Sequence, residues 1–519
     1  MIFRAPEPSL DIPEVALTPW LLDSMVKRGD KVAFIDGTNG KTIGYAELAR
    51  KIRQAAAGLT ARGFAKGHVS AIFSPNLPEY AVAFHAVSLL GGINTTISPL
   101  YTAMELRQQL DDSGAWCVMT VPQCLDKVKE ATAGTSVREI FVFGDADGAT
   151  PFATLYEHGD TVQPVALNAR EDLVALPYSS GTTGLPKGVM LTHLNLVANL
   201  LQTASALDLG EADTLLGVLP FFHIYGMTVI MNGGLYAGAT IVTMPRFELE
   251  SCLQIMERYR VTFANVVPPI VLALAKSPLV ADYRLHLRVV FSGAAPLSET
   301  LARAASARLG CLVVQGYGLT ETSPVTHGAR MHDAHTNPGS IGPPVPNTEA
   351  KVIDLETGAE LPAMSTGEIC IRGPQVMKGY LNRPDATHDM IDAEGWLHTG
   401  DIGYASADGS FFVVDRLKEL IKYKGMQIAP AELEAILLTH PQVADAAVVP
   451  QPDENAGEVP KAFVVLKDRV APEEIIDYVG SRVAPFKKIR ALEIIDRIPK
   501  SPSGKILRRL LVDREAARA

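Results

Sequence analysis

The chain has 519 residues, with 47 Lys and Arg against 57 Asp and Glu, and is 47% hydrophobic and 20% charged. That composition is globular and excludes disordered, collagenous and coiled-coil chains, while the length exceeds the roughly 250–300 residues at which single cores stop growing, so two or more domains are expected. The formal charge of −10 argues against a nucleic-acid partner, which needs a concentrated basic face; residues 416–519 nevertheless hold 18 basic and 15 acidic residues, a net +3 beside 29 basic and 42 acidic in the remainder.

The first fifteen residues carry early acids and prolines rather than a basic start and an apolar run, so no secretory leader is read and a cytoplasmic location is expected. Five cysteines, Cys117, Cys124, Cys252, Cys311 and Cys370, show no metal-ligand spacing and read as reduced, mostly buried thiols. Helical stretches at 45–59, 79–89 and 103–112 alternate with short apolar runs at 69–73 and 116–119, which reads as α/β. The rhythm returns at 174–178, 239–243, 289–291 and 312–314, predicting doubly wound units with ligand loops at strand ends. The uncharged stretch from Thr214 to Pro245 is broken by Pro220, His223, Asn232, Gly233 and Gly234 and is not expected to span a membrane.

From about 351 the pattern shortens into strands and turns, for example 368–372 and 410–414, and predicts a β-rich subdomain reaching 415. A boundary is placed at 416–418. Beyond it, 419–519 reads as a small α+β domain with helices at 430–438 and 472–482 and strands at 444–450 and 462–466. The fold expected is thus α/β, with a large N-terminal domain at 1–415 and a small C-terminal one. The last residues match no peroxisomal or lipidation address.

The strongest local feature is Tyr178-Ser-Ser-Gly-Thr-Thr-Gly-Leu-Pro-Lys-Gly188, between an apolar strand and a helix-like stretch from Leu194. Glycines admit phosphate close to the backbone, Ser179, Ser180, Thr182 and Thr183 offer hydroxyls, and Lys187 offers charge. It is not a Walker A loop. Pro186 replaces the glycine before Lys187, and Gly188 replaces the hydroxyl residue that would hold magnesium, so a metal ligand must come from elsewhere.

The segment from Ser179 to Gly188 resembles the signature loop of the adenylate-forming superfamily of acyl-CoA and aryl-CoA synthetases, luciferases and nonribosomal peptide adenylation domains. Further motifs match in order over essentially the whole chain: Leu219-Pro-Phe-Phe-His-Ile-Tyr-Gly226, Gln315-Gly-Tyr-Gly-Leu-Thr-Glu321, His398-Thr-Gly-Asp401, Asp415-Arg-Leu-Lys-Glu-Leu-Ile-Lys-Tyr-Lys-Gly425 and Pro499-Lys-Ser-Pro-Ser-Gly-Lys505. Together they are most similar to the 4-coumarate:CoA ligases and their bacterial relatives. The family fold pairs a large N-terminal domain with a small mobile one.

The resemblance implies a two-step reaction using ATP, magnesium and coenzyme A: a carboxylate attacks the α-phosphate to give an acyl adenylate, and CoA thiolate then displaces AMP. It assigns Ser179, Ser180, Gly181, Thr182, Thr183, Gly184 and Lys187 to the phosphates, with Thr183 counted among the catalytic residues, Glu321 to magnesium and Thr320 to the α-phosphate. Ala294, Gln315, Gly316, Tyr317 and Gly318 would surround the adenine, and Asp401 with Arg416 would hold the ribose. His223 would gate the path between carboxylate and CoA. Lys505 would bridge carboxylate and α-phosphate during adenylation, whereas Lys422 would serve the thioester step, Lys424 and Gly425 would flank the pantetheine, and Lys418 would be the hinge. Read alone, the pair Thr320 and Glu321 could cap a helix, Asp401 could be a turn residue, and His223 could be an ordinary core histidine.

The same resemblance places Ile224, Tyr225, Val229, Phe291, Ala294, Gly316, Gly318, Pro324 and Val325 around the acyl group, beside His223. Tyr225 could meet a phenolic hydroxyl, but Val229 stands where plant enzymes commonly carry a hydroxyl residue, which predicts a weaker preference for hydroxylated rings. An aryl-propenoic acid such as cinnamate or 4-coumarate is the expected substrate. A medium- or long-chain fatty acid, a luciferase-like oxygenase and an adenylation enzyme feeding a carrier protein are the alternatives, and monomer and homodimer both stay open.

Overall fold

The computed structural model describes residues 1–179, 186–329, 331, 337–424, 426–453, 456–501 and 504–516. Val69–Phe73 is buried at all five positions and runs parallel to Ile93–Ile97 on one side and Ala115–Thr120 on the other. Such doubly covered parallel strands read as unbroken apolar runs. They centre a nine-stranded sheet whose far side adds Leu173–Ala175 parallel to Ile93–Ile97 and then Lys187–Thr192 and Tyr178–Ser179, each antiparallel to its neighbour. The apolar run at 174–178 is therefore two strands, divided at Pro177, which has no N–H to give a ladder.

A second sheet of eight strands has Phe263–Val266, Val289–Ser292 and Leu312–Gly318 in parallel at one end, with Val325–Gly328 antiparallel at that edge. The two sheets share one continuous apolar core. The helix Pro78–Leu89 lies inside that core with ten of its twelve residues buried, which is why it shows no polar face.

The stretch from Thr214 to Pro245 resolves into a strand at Thr214–Gly217, a π-helix at Tyr225–Asn232, a short α-helix at Gly233–Ala237 and a strand at Thr240–Thr243. Among the described residues no helix is long and apolar enough to cross a membrane. Gly226, the second residue of the π-helix, lies so close to the Pro220 carbonyl that a Cβ there would overlap it.

The third sheet is antiparallel throughout: Ile2–Arg4, Glu349–Ile353, Gly367–Arg372, Leu397–Ala405 and Phe411–Arg416, in that order. It recruits the N-terminal strand, which the sequence pattern did not reveal. The fourth sheet pairs Met426–Ile428, Ile421–Tyr423, Gly457–Leu466 and Val443–Asp453, with Ala491–Ile494 alongside. Helices Pro430–Leu437 and Pro472–Gly480 supply Leu433, Leu437, Ile475 and Val479 to its separate core. Arg416 ends a strand of the third sheet, and Ile421 begins one of the fourth.

Candidate active site

Three sheets and the loop carrying Lys505 bring Lys187, Glu321, Tyr317, Asp401, Arg416 and Lys505 to one region. Ser179 faces Lys187 in the antiparallel register; Ser180, Gly181, Thr182, Thr183 and Gly184 lie outside the described residues. The Lys187 ammonium sits over the Tyr380 ring, 4.9 Å from its centroid. Tyr380 belongs to a two-residue strand that hydrogen-bonds to the strand carrying Lys187, pairing with Val189. Its hydroxyl donates to Oε1 of Glu321 at 2.8 Å, and burial together with Glu321 raises the Tyr380 pKa. Glu321, 7% exposed, stands on a single 3₁₀ turn, Thr320–Thr322, beyond the strand Leu312–Gly318. A buried carboxylate with one oxygen held by a tyrosine suits a hard divalent cation.

Asp401 and Arg416 face each other directly across two antiparallel strands, with Arg416 Nε 3.3 Å from Asp401 Oδ1. The Tyr317 hydroxyl donates to Asp401 Oδ2 at 2.5 Å. Burial raises the Asp401 pKa, while Arg416 and the Tyr317 hydroxyl oppose it. Tyr317 thus ties the predicted adenine platform to the predicted ribose acid. Ala294 is exposed at the end of Val289–Ser292 and holds a left-handed φ of 68°, a conformation that non-glycine residues rarely adopt outside functional turns.

Gln315 is placed differently from the expectation for its side chain. It is 3% exposed; its carbonyl accepts from the Leu297 N–H and its amide donates to the Leu297 and Pro338 carbonyls. Its side chain anchors two loops and is not offered to a ligand.

Of the residues expected around the acyl group, Gly316 and Tyr225 meet the Phe291 ring. A Cβ on Gly316 would overlap Phe291 Cζ, and a Cβ on Gly318 would overlap the Pro324 carbonyl oxygen. Tyr225 meets Phe291 edge-on at 6.3 Å, and its hydroxyl donates to the Phe291 carbonyl at 3.0 Å. That bond engages the hydroxyl proton that was expected to be available to a phenolic substrate. Ile224 and Val229 are buried beside it on the π-helix and just before it. Val325 is clamped at both backbone groups by the Asn199 amide. His223 Nδ1 accepts the Tyr225 N–H at 3.2 Å, which leaves the ring proton on Nε2. Burial pushes its pKa down to about 4, so the ring is neutral at physiological pH.

Lys505 lies beside this cluster. Burial first, and then Arg416, push its pKa down to about 8, against the attraction of Glu419 and Asp401. The neighbouring Gly504 approaches Val267 so closely that a Cβ there would stand 3.0 Å from Val267 Cγ2. Behind it, Arg508 pairs with Glu434 at 3.0 Å and Glu419 at 3.2 Å. Lys418, Lys422 and Lys424 are exposed instead, the last two around the hairpin Ile421–Tyr423 and Met426–Ile428; Gly425 lies outside the described residues. The structure therefore gathers Lys505, Asp401, Arg416, Tyr317 and Glu321 and leaves Lys422 outside the cluster.

Several supporting residues carried no signal in the sequence. Tyr380 and Asn199 are examples. Glu368 is another: its Oε1 accepts the Gly400 N–H and its Oε2 lies 3.1 Å from His398 Nδ1. With Cys370 it forms a group whose ligand atoms lie within 4.8 Å of one another, here joined by hydrogen bonds that brace the turn before Asp401.

Residues 22–381 match the family model for AMP-binding enzyme, and residues 432–505 match that for AMP-binding enzyme C-terminal domain. The chain is 44% identical over 529 residues to 4-coumarate–CoA ligase 1 of Petroselinum crispum, covering 100% of this chain and 97% of the relative. It is 45% identical to 4-coumarate–CoA ligase 5 of Oryza sativa subsp. japonica, covering 99% and 98%. The chain belongs to the AMP-binding enzymes, among the 4-coumarate–CoA ligases.

As an AMP-forming acid–CoA ligase, it takes ATP, magnesium and coenzyme A. Among solved structures, this ligase resembles the anthranilate CoA ligase AuaEII in complex with anthranoyl-AMP, with a TM-score of 0.91 at 26% identity over 98% of this chain and 99% of that one. It also resembles ATP-bound MatB from Rhodopseudomonas palustris, with a TM-score of 0.88 at 28% identity over 97% and 99% of the two chains. The apo form of MatB gives 0.78 over the same coverage.

Proposed function

We propose that the enzyme activates an aryl-propenoic acid, such as cinnamate or 4-coumarate, through an acyl adenylate and transfers the acyl group to the thiol of CoA. The observation that carries this reading is the 44–45% identity, over essentially the full length, to relatives named for 4-coumarate; around Phe291, Gly316 and Gly318 let other groups approach the backbone closely beside Tyr225 and Val229.

In the adenylation half-reaction, negative charge grows on the α-phosphate as the carboxylate attacks, and placed cations are the main source of stabilisation. Lys505 supplies one charge at the carboxylate and α-phosphate. Lys187, fixed over Tyr380, supplies another towards the leaving pyrophosphate. Asp401 accepts from the ribose hydroxyls, and Arg416 and Tyr317 keep its carboxylate oriented. Magnesium would be held by Glu321 and would supply charge neutralisation on the triphosphate. His223, neutral and oriented by Tyr225, shapes the route between the carboxylate and CoA.

Lys505 lies in the cluster and Lys422 does not, which supports reading this arrangement as the one for adenylation; the TM-score is also higher to ATP-bound than to apo MatB. Rotation of the small domain about Lys418 would exchange Lys505 for the Lys422–Gly425 hairpin. The five cysteines are all free, which suits a reducing, cytoplasmic setting.

The test is a pair of variants. Lys505→Ala should abolish acid-dependent exchange of pyrophosphate into ATP yet still convert a supplied acyl adenylate to thioester; Lys422→Ala should mainly lose the second step. Equal loss of both steps in two folded variants would defeat the rotation. Thioester formation on alkyl acids in preference to cinnamates would defeat the substrate assignment.

A further inference from the structure

Glu368, Cys370 and His398, on the third sheet, have the donor set of a metal site and share no residue with the adenylate cluster. A carboxylate oxygen, a thiol sulfur and an imidazole nitrogen from the three lie within 4.8 Å of one another. The register explains why they meet. Glu368 and Cys370 are two apart on the strand Gly367–Arg372, so strand alternation puts both on one face, and Cys370 stands directly opposite His398 on Leu397–Ala405. Glu368 then pairs with Ile402, four residues beyond His398, so that 399–401 bulge out opposite Ile369 alone. No local spacing in the sequence announces the group, because the histidine comes from a different strand.

The distances fit a transition metal. His398 Nδ1 lies 3.1 Å from Glu368 Oε2 and 3.7 Å from Cys370 Sγ. Around a tetrahedral zinc, with bonds of about 2.0 Å to nitrogen and oxygen and about 2.3 Å to sulfur, those separations would be about 3.3 Å and about 3.6 Å. The outer contacts are of the kind that orient such ligands. Glu368 Oε1 accepts the Gly400 N–H at 2.9 Å, which leaves Oε2 for an ion. His398 Nε2 faces Asp392 Oδ2 at 3.6 Å, so an imidazole bound through Nδ1 keeps its proton towards a carboxylate. The side chains of His398 and Asp392 are 32% and 34% exposed, which gives an ion a path from solvent to the fully buried Cys370.

We propose that Glu368, Cys370 and His398 bind one divalent cation of the zinc class, with solvent at the fourth position and Asp392 orienting the imidazole. Sulfur and nitrogen donors select against magnesium, which takes oxygen ligands, so the site is independent of Glu321. Binding releases the thiol proton to solvent. Burial first, and then Glu368, against Lys351, push the Cys370 pKa well up, so only a cation able to deprotonate a coordinated thiol occupies the position. The thiolate and the Glu368 carboxylate then balance the two charges of the ion. The consequence is mechanical: the ion clamps the two sides of the bulge at 399–401 and stiffens the segment that carries Asp401.

The experiment adds Co2+, a spectroscopic stand-in for Zn2+, to the full-length, metal-stripped enzyme in excess magnesium. One equivalent should be retained, with thiolate-to-cobalt charge-transfer absorption in the near ultraviolet. Zn2+ should displace it and raise the thermal unfolding midpoint. Cys370→Ser should abolish the band, whereas Cys124→Ser, at a half-buried free thiol, should keep it. His398→Gln, at a partly exposed position, should abolish retention of the ion and carries the same test if Cys370→Ser does not fold. Asp392→Asn should keep the band and weaken cobalt binding about ten- to hundredfold. No band in the wild type overturns the site. A band that survives Cys370→Ser, or equal retention by the wild type and His398→Gln, would mean an adventitious surface ion only and overturns it as well.

Discussion

Replacing Tyr380 with Phe removes one hydroxyl and keeps the ring. The hydroxyl donates to the Glu321 carboxylate at 2.8 Å, whereas the ring carries Lys187 at 4.9 Å, so the variant separates the two contacts. A hydrogen bond to a charged group contributes about 1.5–3 kcal/mol, and every ~1.4 kcal/mol is tenfold in an equilibrium. Freed of its donor, Glu321 can swing from the position in which it would meet magnesium. The expected result is a loss of about ten- to a hundredfold in kcat/KM for ATP in the adenylation half-reaction, visible as a shift of the magnesium titration to higher concentration. Pyrophosphate exchange across magnesium concentrations measures it. Conversion of a supplied acyl adenylate to thioester should stay at the wild-type rate, because that step no longer involves the triphosphate. Tyr380→Leu should lose more, since Lys187 then has no ring beneath it. An unshifted magnesium dependence in Tyr380→Phe would refute the argument and reduce Tyr380 to a space-filling residue.

With its pKa pushed down to about 8, Lys505 is charged below that pH and neutral above it. The kcat/KM for adenylation should therefore be level on the acid side and fall on the alkaline side with a midpoint near 8, since this quantity reports the free enzyme; the residual activity of Lys505→Arg should lack that limb. Arg508→Ala leaves the buried Glu434 and the half-buried Glu419 without their partner and should destabilise the chain by about 3–5 kcal/mol in denaturant titrations. Because burial raises the Glu434 pKa to about 7, this carboxylate is largely neutral at pH 6, and the deficit should be smaller there than at pH 8. Gly316→Ala presses on a ring that can move, so its loss of activity should be largely restored by adding Phe291→Leu; Gly318→Ala presses on a backbone carbonyl, and kinetics with the same second change should show no recovery.

Much of the architecture was readable because parallel strands buried on both faces leave unmistakable runs, as at Val69–Phe73 and Val289–Ser292. The N-terminal strand Ile2–Arg4 was not, since three residues at a sheet edge have no periodicity to detect. The π-helix from Tyr225 was hidden for a different reason: an all-apolar segment gives no phase, and its winding depends on Gly226 fitting under the Pro220 carbonyl. Within the site, Asp401, Arg416 and Glu321 could be proposed from motifs, but Tyr380 could not. Its role comes from a two-residue strand some sixty positions away from Glu321 in sequence (59 apart), a juxtaposition made only by tertiary structure. Gln315 shows the converse. It sits inside a motif, yet its amide is fully engaged by the carbonyl and N–H groups of neighbouring loops.

The position of Arg416 bears on the order in which products depart. It is the last residue of its strand and pairs with Asp401, while the next residue, Leu417, donates its N–H to the Gly400 carbonyl at 2.8 Å. The proposed swing of the small domain thus begins beside the grip on the ribose. A bound nucleotide that holds Asp401 and Arg416 in register also fixes the pivot, so the rotation can proceed with AMP still in place as a stiff bearing. Departure of AMP would loosen that bearing. The thioester is then expected to leave first and the nucleotide last, with the emptied clamp resetting the domain for the next ATP.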